Sequence, residues 1–507
     1  MKLVAPADLM FLLLETRNSP MHVAGLNIYS PPADAAPTFV ADLVTRWKRF
    51  PEARAPFNQR VVLHLGAWFW EDADDFDLDC HIQHLALPGP GRMSDLLDLV
   101  ARLHGQLLDR QRPLWEAYII EGLPEGRFAT YMKIHHALID GVSGAKMMAQ
   151  SLSTDPGEHK APIWAYRFPG HALPVRHAPR GLAARLARQV GAAVQDSRQI
   201  VPGMLAGVWD ILRRADKDSG EVLPLQAPPT PLNEAISNLR GFAAQPISLE
   251  RLQRLGHACG ATVNDIALAI CAGALRQYLL IHHSLPRQAL VAMVPVSLHE
   301  PGAAEGNQIS LLLASLATSI ADPHQRLQAI VQSTRTAKQR LQQKSRLEKW
   351  AYIAPMFALA APLMFSGDAR RHPLFNVIIS NVPGPRETLY LCGARLEEVY
   401  PVSIPADYLS LNITFTGYGD NLGFGFIACH RAMPAIQEMP RLLCEALIEL
   451  EQALLGGTSA KRKSPRKAPA NRSAGQKKRR PLGRLKQSIF RGRAQHGELP
   501  PASSGHH

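Results

Sequence analysis

Apolar positions recur along the first third of the chain with two periods, one typical of helices and one of strands. Residues 93–109 place leucine and valine three or four positions apart, which predicts an amphipathic helix. Another helix is expected after Gly144. Short apolar runs predict strands at residues 23–29, 61–68, 117–120 and 128–134. This mixture predicts an α/β (α+β) domain over residues 1–155.

The same mixture of periods returns after a proline-rich break. Residues 156–235 carry prolines at both ends and one helical stretch at 182–217, which is typical of a crossover between two domains. Residues 236–455 then predict a second α/β domain, with helices at 249–259, 263–281 and 435–455 and strands at 289–295, 309–316, 375–380, 409–416 and 424–429. Two such halves predict a binding cleft between them.

The positive charge of the chain is concentrated at its C-terminal end. The 507 residues carry a formal net charge of +13, but residues 456–507 hold 14 of the 56 Lys and Arg and one acid, Glu498. The body therefore has 42 bases and 42 acids and is neutral. The tail has few apolar residues and is expected to be disordered. No folded basic face supports a specific nucleic-acid partner.

The end of this tail carries a weak membrane signal. Residues 482–490 place four apolar side chains at helical spacing among cations. That pattern favours a short anchor on an anionic membrane or lipid-droplet surface. A solvated tail without a specific partner is an equal alternative.

Cysteine usage and hydropathy favour a cytoplasmic protein, peripheral on a membrane at most. The six cysteines include no CxxC pair, so neither a disulfide framework nor a zinc site is expected. The apolar N-terminal stretch is interrupted by Asp8 and closed by Glu15, unlike a signal peptide. No apolar run reaches the ~18 residues of a membrane span; the best candidate, 354–365, is short and contains two prolines.

The residues that indicate chemistry follow the strand predicted at 128–134. His135 and His136 are succeeded by Asp140 and Gly141 in the pattern HHxxxDG. Neighbouring side chains of a strand point to opposite faces, so one histidine should enter the cleft and the other should be buried as support. Asp140 can hold the turn and fix the orientation and tautomer of a histidine. Gly141 is expected to relieve backbone strain at that turn.

An accidental histidine pair is the alternative to a catalytic one. A second pair, His282-His283, lacks the following Asp-Gly and is interpreted as a surface or helix-end feature. The chain has no HExxH, Walker or GxGxxG pattern, and a GxSxG elbow around Ser143 fails at Ala145. Ser143 is expected to start a helix instead. A histidine acting as general base directly on a substrate hydroxyl is the simplest remaining mechanism.

The HHxxxDG pattern is the signature of acyltransferases that resemble chloramphenicol acetyltransferase, a superfamily that includes the condensation domains of peptide synthetases. Further motifs narrow the resemblance. Over roughly residues 4–455 the chain resembles the bacterial wax ester synthase/diacylglycerol acyltransferase family, through Pro20–Val23, Pro113–Glu116, Thr230–Asn233, Ala261–Asp265, Pro295–Leu298, Gly306–Ser310, Ser380–Pro385 and Leu411–Thr414.

The resemblance implies two chloramphenicol-acetyltransferase-like domains with the active site in a tunnel between them. It also implies transfer of a long acyl chain from acyl-CoA, a co-substrate, to a fatty alcohol or to diacylglycerol. No metal or other cofactor is implied. His136 would be the general base, His135 its support, and no acyl-enzyme would form. A non-catalytic lipid-body protein on the same fold, or a condensation-type acyltransferase with another acceptor, remain alternatives.

Other residues receive roles from the same resemblance. Asn264 is a candidate donor to the reaction's oxyanion, although Asn264-Asp265 could equally cap a helix or brace the domains. Ser297 and Asn412 are candidates for the tunnel wall. The family often has Arg where this chain has His299, so binding of the CoA phosphates could differ here.

Overall fold

Two six-stranded sheets with helices packed on them form the body of the protein. The computed structural model describes residues 1–168, 222, 225–297, 309–342 and 368–456. Residues 1–459 form one compact unit, and a second unit, residues 460–507, lies outside the described residues. The α/β class with two sheet-rich halves is confirmed.

The elements follow one another in a mixed order along the chain. The strands are β1 (Lys2–Leu3), β2 (His22–Ser30), β3 (Gln59–His64), β4 (Ala67–Asp72), β5 (Ile82–Ala86), β6 (Trp115–Glu121), β7 (Phe128–His135), β8 (Arg240–Ser248), β9 (Val291–Ser297), β10 (Ile309–Ser315), β11 (Val377–Val382), β12 (Tyr390–Leu391), β13 (Ala394–Val402), β14 (Leu411–Tyr418) and β15 (Asn421–Cys429). The helices are α1 (Pro6–Leu14), α2 (Phe39–Lys48), α3 (Met93–His104), α4 (Gly141–Ser151), α5 (Leu249–Cys259), α6 (Val263–Ile281), α7 (Pro323–Gln342) and α8 (Met439–Leu455).

The first large sheet has the order β12-β13-β2-β7-β6-β5. Its central strand β7 is buried along its whole length; one face is mostly apolar, and the other also buries Lys133 and His135. The strand β13 comes from the C-terminal half of the chain but pairs antiparallel with β2, with Arg395 opposite Ser30. The boundary predicted between residues 1–155 and 236–455 therefore does not separate the two sheets completely.

The second large sheet has the order β10-β9-β11-β14-β15-β8. Helices α6 and α8 pack on each other and contribute to the largest apolar core. Within the described part of the chain, α6 is long and apolar enough to cross a membrane, but most of it is buried inside the fold. It is the core helix of this half, whereas residues 354–365, the candidate named from the sequence, lie outside the described residues.

A small sheet of order β1-β4-β3 lies at the N-terminal end of the body. Its strands β3 and β4 form a hairpin, and α1 shares an apolar cluster with it that includes Leu12, Val61 and Trp70. Ala137, just after the histidine pair, belongs to the same cluster. The packing of α1 therefore places this helix over the segment that carries the HHxxxDG pattern.

Most predicted elements are found within a few residues of their expected bounds, with two corrections. The strand predicted at 61–68 is wrong, because the chain turns at Leu65-Gly66 and forms the separate strands β3 and β4. The helix predicted at 93–109 ends at His104, where Gly105 is the C-cap residue. The helix predicted at 182–217 and the anchor predicted at 482–490 lie outside the described residues.

Candidate active site

A large cavity lies between the two sheets and contains the second histidine of the pair. Its volume is about 1680 Å³, above the roughly 300–1,000 Å³ of most small-molecule sites. Mostly apolar side chains form its wall, and elements of both halves contribute, among them Phe11, His136, Asn264, Pro383 and Asn412. A cavity of this size and polarity suits a long apolar substrate.

His136 lines this cavity at the end of β7. Its backbone N–H donates to the carbonyl oxygen of Met21 at 2.8 Å. Its ring stacks on the ring of Phe11, with centroids 4.0 Å apart and planes inclined by 15°. Burial lowers the pKa of His136 below its ordinary value, against the opposing effect of the Asp140 charge. The imidazole is therefore held in place and favoured in the neutral form that a general base requires.

His135 points away from the cavity and is completely buried, as the alternation along β7 predicts. The N–H of Ala137 donates to its Nδ1 at 3.1 Å. A neutral histidine that accepts at Nδ1 carries its proton on Nε2. That nitrogen lies 3.3 Å from Oε1 of Glu15, whose side chain is also buried. The hydrogen bond from Ala137 thus favours the tautomer of His135 whose Nε2 proton faces Glu15, and Asp140 takes no part in it.

Glu15 connects the two histidines through the backbone. Its Oε1 accepts the N–H of Met21 at 3.1 Å, and the carbonyl of the same Met21 holds the N–H of His136. Arg110 pairs with Oε2 of Glu15 through Nε at 3.0 Å and Nη2 at 2.9 Å. Burial alone would raise the pKa of Glu15, but its interactions with His135, Met21 and Arg110 keep that pKa below the ordinary value. Glu15 is therefore an anion that braces the segment that carries the histidine pair.

Asp140 holds the turn in the way a helix cap does. It is the N-cap of α4 and accepts the N–H groups of Val142 and Ser143 at 3.0 and 2.9 Å. The hydroxyl of Ser143 donates to its other oxygen at 2.7 Å. Ser143 is thus a helix-start residue, as predicted. The prediction that Asp140 holds a histidine by a hydrogen bond is wrong, because the hydrogen bonds of Asp140 are made to residues of α4. Asp140 acts on His136 through its charge.

Gly141 does not have the conformational role predicted for it. It is the first residue of α4 and does not adopt a positive φ. A Cβ added there would meet no atom within 4 Å, and Gly141 lines the cavity. Backbone strain is therefore not the reason for the glycine, and the absence of a side chain leaves free space on the cavity wall.

Asn264 and Asp265 sit at the start of α6 and have different surroundings. Asp265 is buried, forms a reciprocal capping box with Thr262, and accepts the hydroxyl of Thr334 from α7 at 2.8 Å. It is a helix cap and an interhelical brace. Asn264 lines the cavity, and its Oδ1 accepts Nδ2 of Asn381 at 2.7 Å. This contact occupies the oxygen of Asn264 and leaves its amide N–H groups for another acceptor.

The structure describes some of the remaining predicted site residues but not all of them. Asn412, on β14, is buried and lines the cavity, where its Nδ2 donates to the carbonyl of Ile404 at 3.2 Å. Ser297 is the last residue of β9. His299 lies outside the described residues. The pair His282-His283 is exposed at the C-terminal end of α6, as expected of a surface feature.

Several residues of the site carry no local signal in the sequence. Phe11, Glu15 and Arg110 surround the histidine pair, yet Glu15 precedes His135 by 120 positions. Nothing in the opening segment that contains Phe11 and Glu15 indicates a contact with the pair. Only the packing of α1 reveals that contact.

Comparison with protein-family models gives two matches that together span most of the body. The model described as the wax ester synthase/diacylglycerol acyltransferase catalytic domain matches residues 4–267. The model described as the WS/DGAT C-terminal domain matches residues 305–451. The first match alone covers more than half of the chain.

Individual proteins are similar over nearly the same length. The chain is 40% identical to O-acyltransferase WSD of Acinetobacter baylyi over 442 residues, which are 87% of this chain and 94% of the relative. It is 40% identical over 472 residues to the probable diacylglycerol O-acyltransferase tgs2 of Mycobacterium tuberculosis, covering 90% of this chain and 100% of the relative.

Solved structures resemble it at two levels. The wax ester synthase/diacylglycerol acyltransferase of Marinobacter aquaeolei VT8 has a TM-score of 0.72 and 39% identity, covering 89% of this chain and 99% of that one. The starter condensation domain of rhizomide synthetase has a TM-score of 0.53 at 14% identity, covering 89% of this chain and 95% of that one, which shows a shared fold alone.

Proposed function

The chain belongs to the wax ester synthase/diacylglycerol acyltransferase family, and we propose that it transfers a long acyl chain from acyl-CoA to the hydroxyl of diacylglycerol or of a fatty alcohol. The products are triacylglycerol and wax ester. The observation that carries this proposal is the partly buried, neutral-favoured His136 on the wall of a large apolar cavity. The reaction needs a general base and a cavity that can hold the acyl chains of both substrates, and this site offers both.

The proposed reaction needs one base and no covalent enzyme intermediate. His136 takes the proton of the acceptor hydroxyl while its oxygen forms a bond to the thioester carbonyl carbon. The tetrahedral intermediate then collapses, the carbon–sulfur bond breaks, and the CoA thiolate takes the proton back from His136. The negative charge of Asp140 favours the imidazolium formed in between. Acyl-CoA is a co-substrate in this scheme, and no further cofactor takes part.

Asn264 is the proposed donor to the oxyanion. Asn264 lies on the cavity wall. Because its amide oxygen accepts a hydrogen bond from Asn381, its amide N–H groups are left for the substrate. Loss of one such donor typically costs about 10²–10³ in rate. Asp265 is not part of this chemistry, since both of its oxygens are used in capping and bracing.

We expect the enzyme to work in the cytoplasm, at or near a lipid surface. The basic tail is proposed to add attraction to anionic lipid, of about 1 kcal/mol for each Lys or Arg near the surface.

The test is turnover of labelled palmitoyl-CoA with dipalmitoylglycerol or hexadecanol as acceptor. His136→Ala should lower kcat by about 10²–10⁴, as loss of a general base does, while a thermal melt should show that the variant is still folded at the assay temperature. His283→Ala in the exposed pair is the matched control and should keep full activity. Wild-type protein that yields no ester, or His136→Ala that keeps full turnover, would support a non-catalytic lipid-body protein instead.

A further inference from the structure

Large apolar side chains are exposed on α1, which lines the cavity, and on the β3–β4 hairpin, which packs against α1. Leu13 on α1 is 65% exposed, and Leu63 and Leu65 on the hairpin are 59% and 90% exposed. Met10 and Leu14 are also exposed on α1, and both line the cavity. These five residues are called the apolar lip. It extends from the cavity wall to the outer surface, so an apolar chain could follow it inward.

The two parts of the lip belong to one packed body. Val61 and Leu63 are two positions apart on β3 and face the same side of the hairpin, opposite Trp70 and Trp68. Val61 and Trp70 pack in the cluster that also contains Leu12 of α1. Leu63 therefore lies on the same face of the hairpin as Val61. Helix α1 covers Val61 but leaves Leu63 exposed.

Leu65 occupies a backbone position that disfavours leucine. The two-residue turn Leu65-Gly66 has positive φ at both residues, 49° and 78°, as in a type I′ hairpin turn. Asn or Asp is preferred at the first of these positions, and a bulky side chain there is strained. Strain of this kind tends to be kept where function requires it. Here it places an apolar side chain almost fully in the solvent at the tip of a hairpin.

The charges of the α1 segment are complementary to an anionic lipid surface, and the exposed acids of the hairpin, Asp72 and those that follow it, lie at the end of β4 away from the turn at Leu65-Gly66. Lys2 and Arg17 are exposed on either side of α1. The acids of the same segment face inward: Glu15 is paired with Arg110, and Asp8 is half-buried. Exposed cations attract the anionic headgroups of phospholipids, and exposed leucines insert towards their acyl chains.

We propose that the apolar lip inserts into an anionic phospholipid surface and lets the acyl acceptor pass from that surface into the cavity. This inference rests on the proposed function for the identity of the substrate that enters. The docking is a property of the catalytic body and is separate from the basic tail. Binding through the apolar side chains of the lip should persist at high salt, whereas salt screens the electrostatic attraction of the tail.

The experiment uses full-length protein and flotation with vesicles of phosphatidylcholine and phosphatidylglycerol, at low salt and at high salt. Wild type should keep a bound fraction at high salt. Leu65→Asn should lower the high-salt partition coefficient about tenfold, the value of one buried leucine. The same change should raise the melting temperature, because Asn suits the turn. Leu13→Gln should also lower the partition coefficient.

Leu239→Asn is the matched control, since Leu239 is 61% exposed outside the lip, and its partition coefficient should equal that of wild type. Equal binding by Leu65→Asn and wild type at high salt, or equal losses in Leu65→Asn and Leu239→Asn, overturns the proposal. So does a fall in oligomer mass caused by Leu65→Asn, which would assign the lip to a second copy of the chain.

Turnover of decanoyl-CoA with decanol dispersed in detergent separates this proposal from the proposed function. Leu65→Asn should match wild type there, because the residue is outside the cavity wall. Absence of turnover in wild type would refute the acyltransferase proposal, while the flotation result would still report on the lip. A loss of turnover in Leu65→Asn alone would overturn the assignment of the lip to docking.

Discussion

His135 and His136 are chemically identical neighbours with different environments. One is closed off among Glu15, Ala137 and the core, and the other faces a cavity with its ring against Phe11. The alternation of a strand predicts this division from the sequence. The identity of the groups that hold each ring could not be predicted, because Glu15 and Phe11 reach the pair only through the packing of α1.

The charge of Asp140 should be visible in the pH dependence of turnover. Burial lowers the pKa of His136, so the acid limb of kcat/KM should lie below its ordinary value of 6.5. Asp140 opposes this shift, so Asp140→Asn, which keeps the helix cap, should move the limb to still lower pH. A profile measured from about pH 4 to 8 tests this. Asp98→Asn, an exposed change on α3, should leave the limb in place.

Glu15→Gln should weaken the brace behind the histidines. Arg110 and His135 would lose an anionic partner, and we expect a loss of about 1–3 kcal/mol in the free energy of unfolding at neutral pH. The folded pKa of Glu15 is lowered, so its contribution is present above the ordinary value of 4.5 and is lost as the pH falls through the folded pKa.

Urea unfolding at several pH values measures that loss. The difference between wild type and Glu15→Gln should shrink on acidification, while Glu250→Gln, on the surface of α5, should change little at any pH. A difference that stays constant with pH would contradict an anionic brace.

At the scale of elements, agreement between sequence and structure depends on local signals. The bounds of α6 are those predicted, because Thr262 and Asp265 form a capping box at one end and apolar periodicity stops at the other. The hairpin at Leu65-Gly66 was predicted as one strand, since leucine is not a usual turn residue. The lengths of helices with strong caps are therefore predictable, and a strained turn is not.

The crossing of β13 over β15 depends on glycine. A Cβ on Gly425 would collide with the carbonyl oxygen of Pro401. Gly425→Ala should therefore force the two strands apart and lower the free energy of unfolding by about 2 kcal/mol or more. Gly456→Ala, where a Cβ meets open space, is the control and should stay within about 0.5 kcal/mol of wild type. Chemical denaturation of the three proteins compares them; equal stabilities would show that the strands adjust freely.

At the scale of the molecule, we expect the neutral body to carry out the reaction and the basic tail to bind anionic lipid. Deletion of residues 459–507 removes a charge of +13, so it should lower binding to anionic vesicles at low salt. It should spare turnover of dispersed substrate, because the cavity lies within the described body. Vesicle flotation and a detergent assay measure the two effects separately. Loss of turnover on deletion would show that the tail takes part in the reaction.

The pairing of β13 with β2 has a consequence for how the protein is made. Strand β2 emerges early from the ribosome, but its partner is complete only at Val402. At about 5–20 residues per second, synthesis of the intervening chain takes roughly 20–75 s. During that interval the nascent N-terminal sheet has an open edge at β2, a site where strands of other chains can pair. We therefore expect that biogenesis of this protein requires protection of an unfinished sheet until the ribosome has nearly completed the body of the protein.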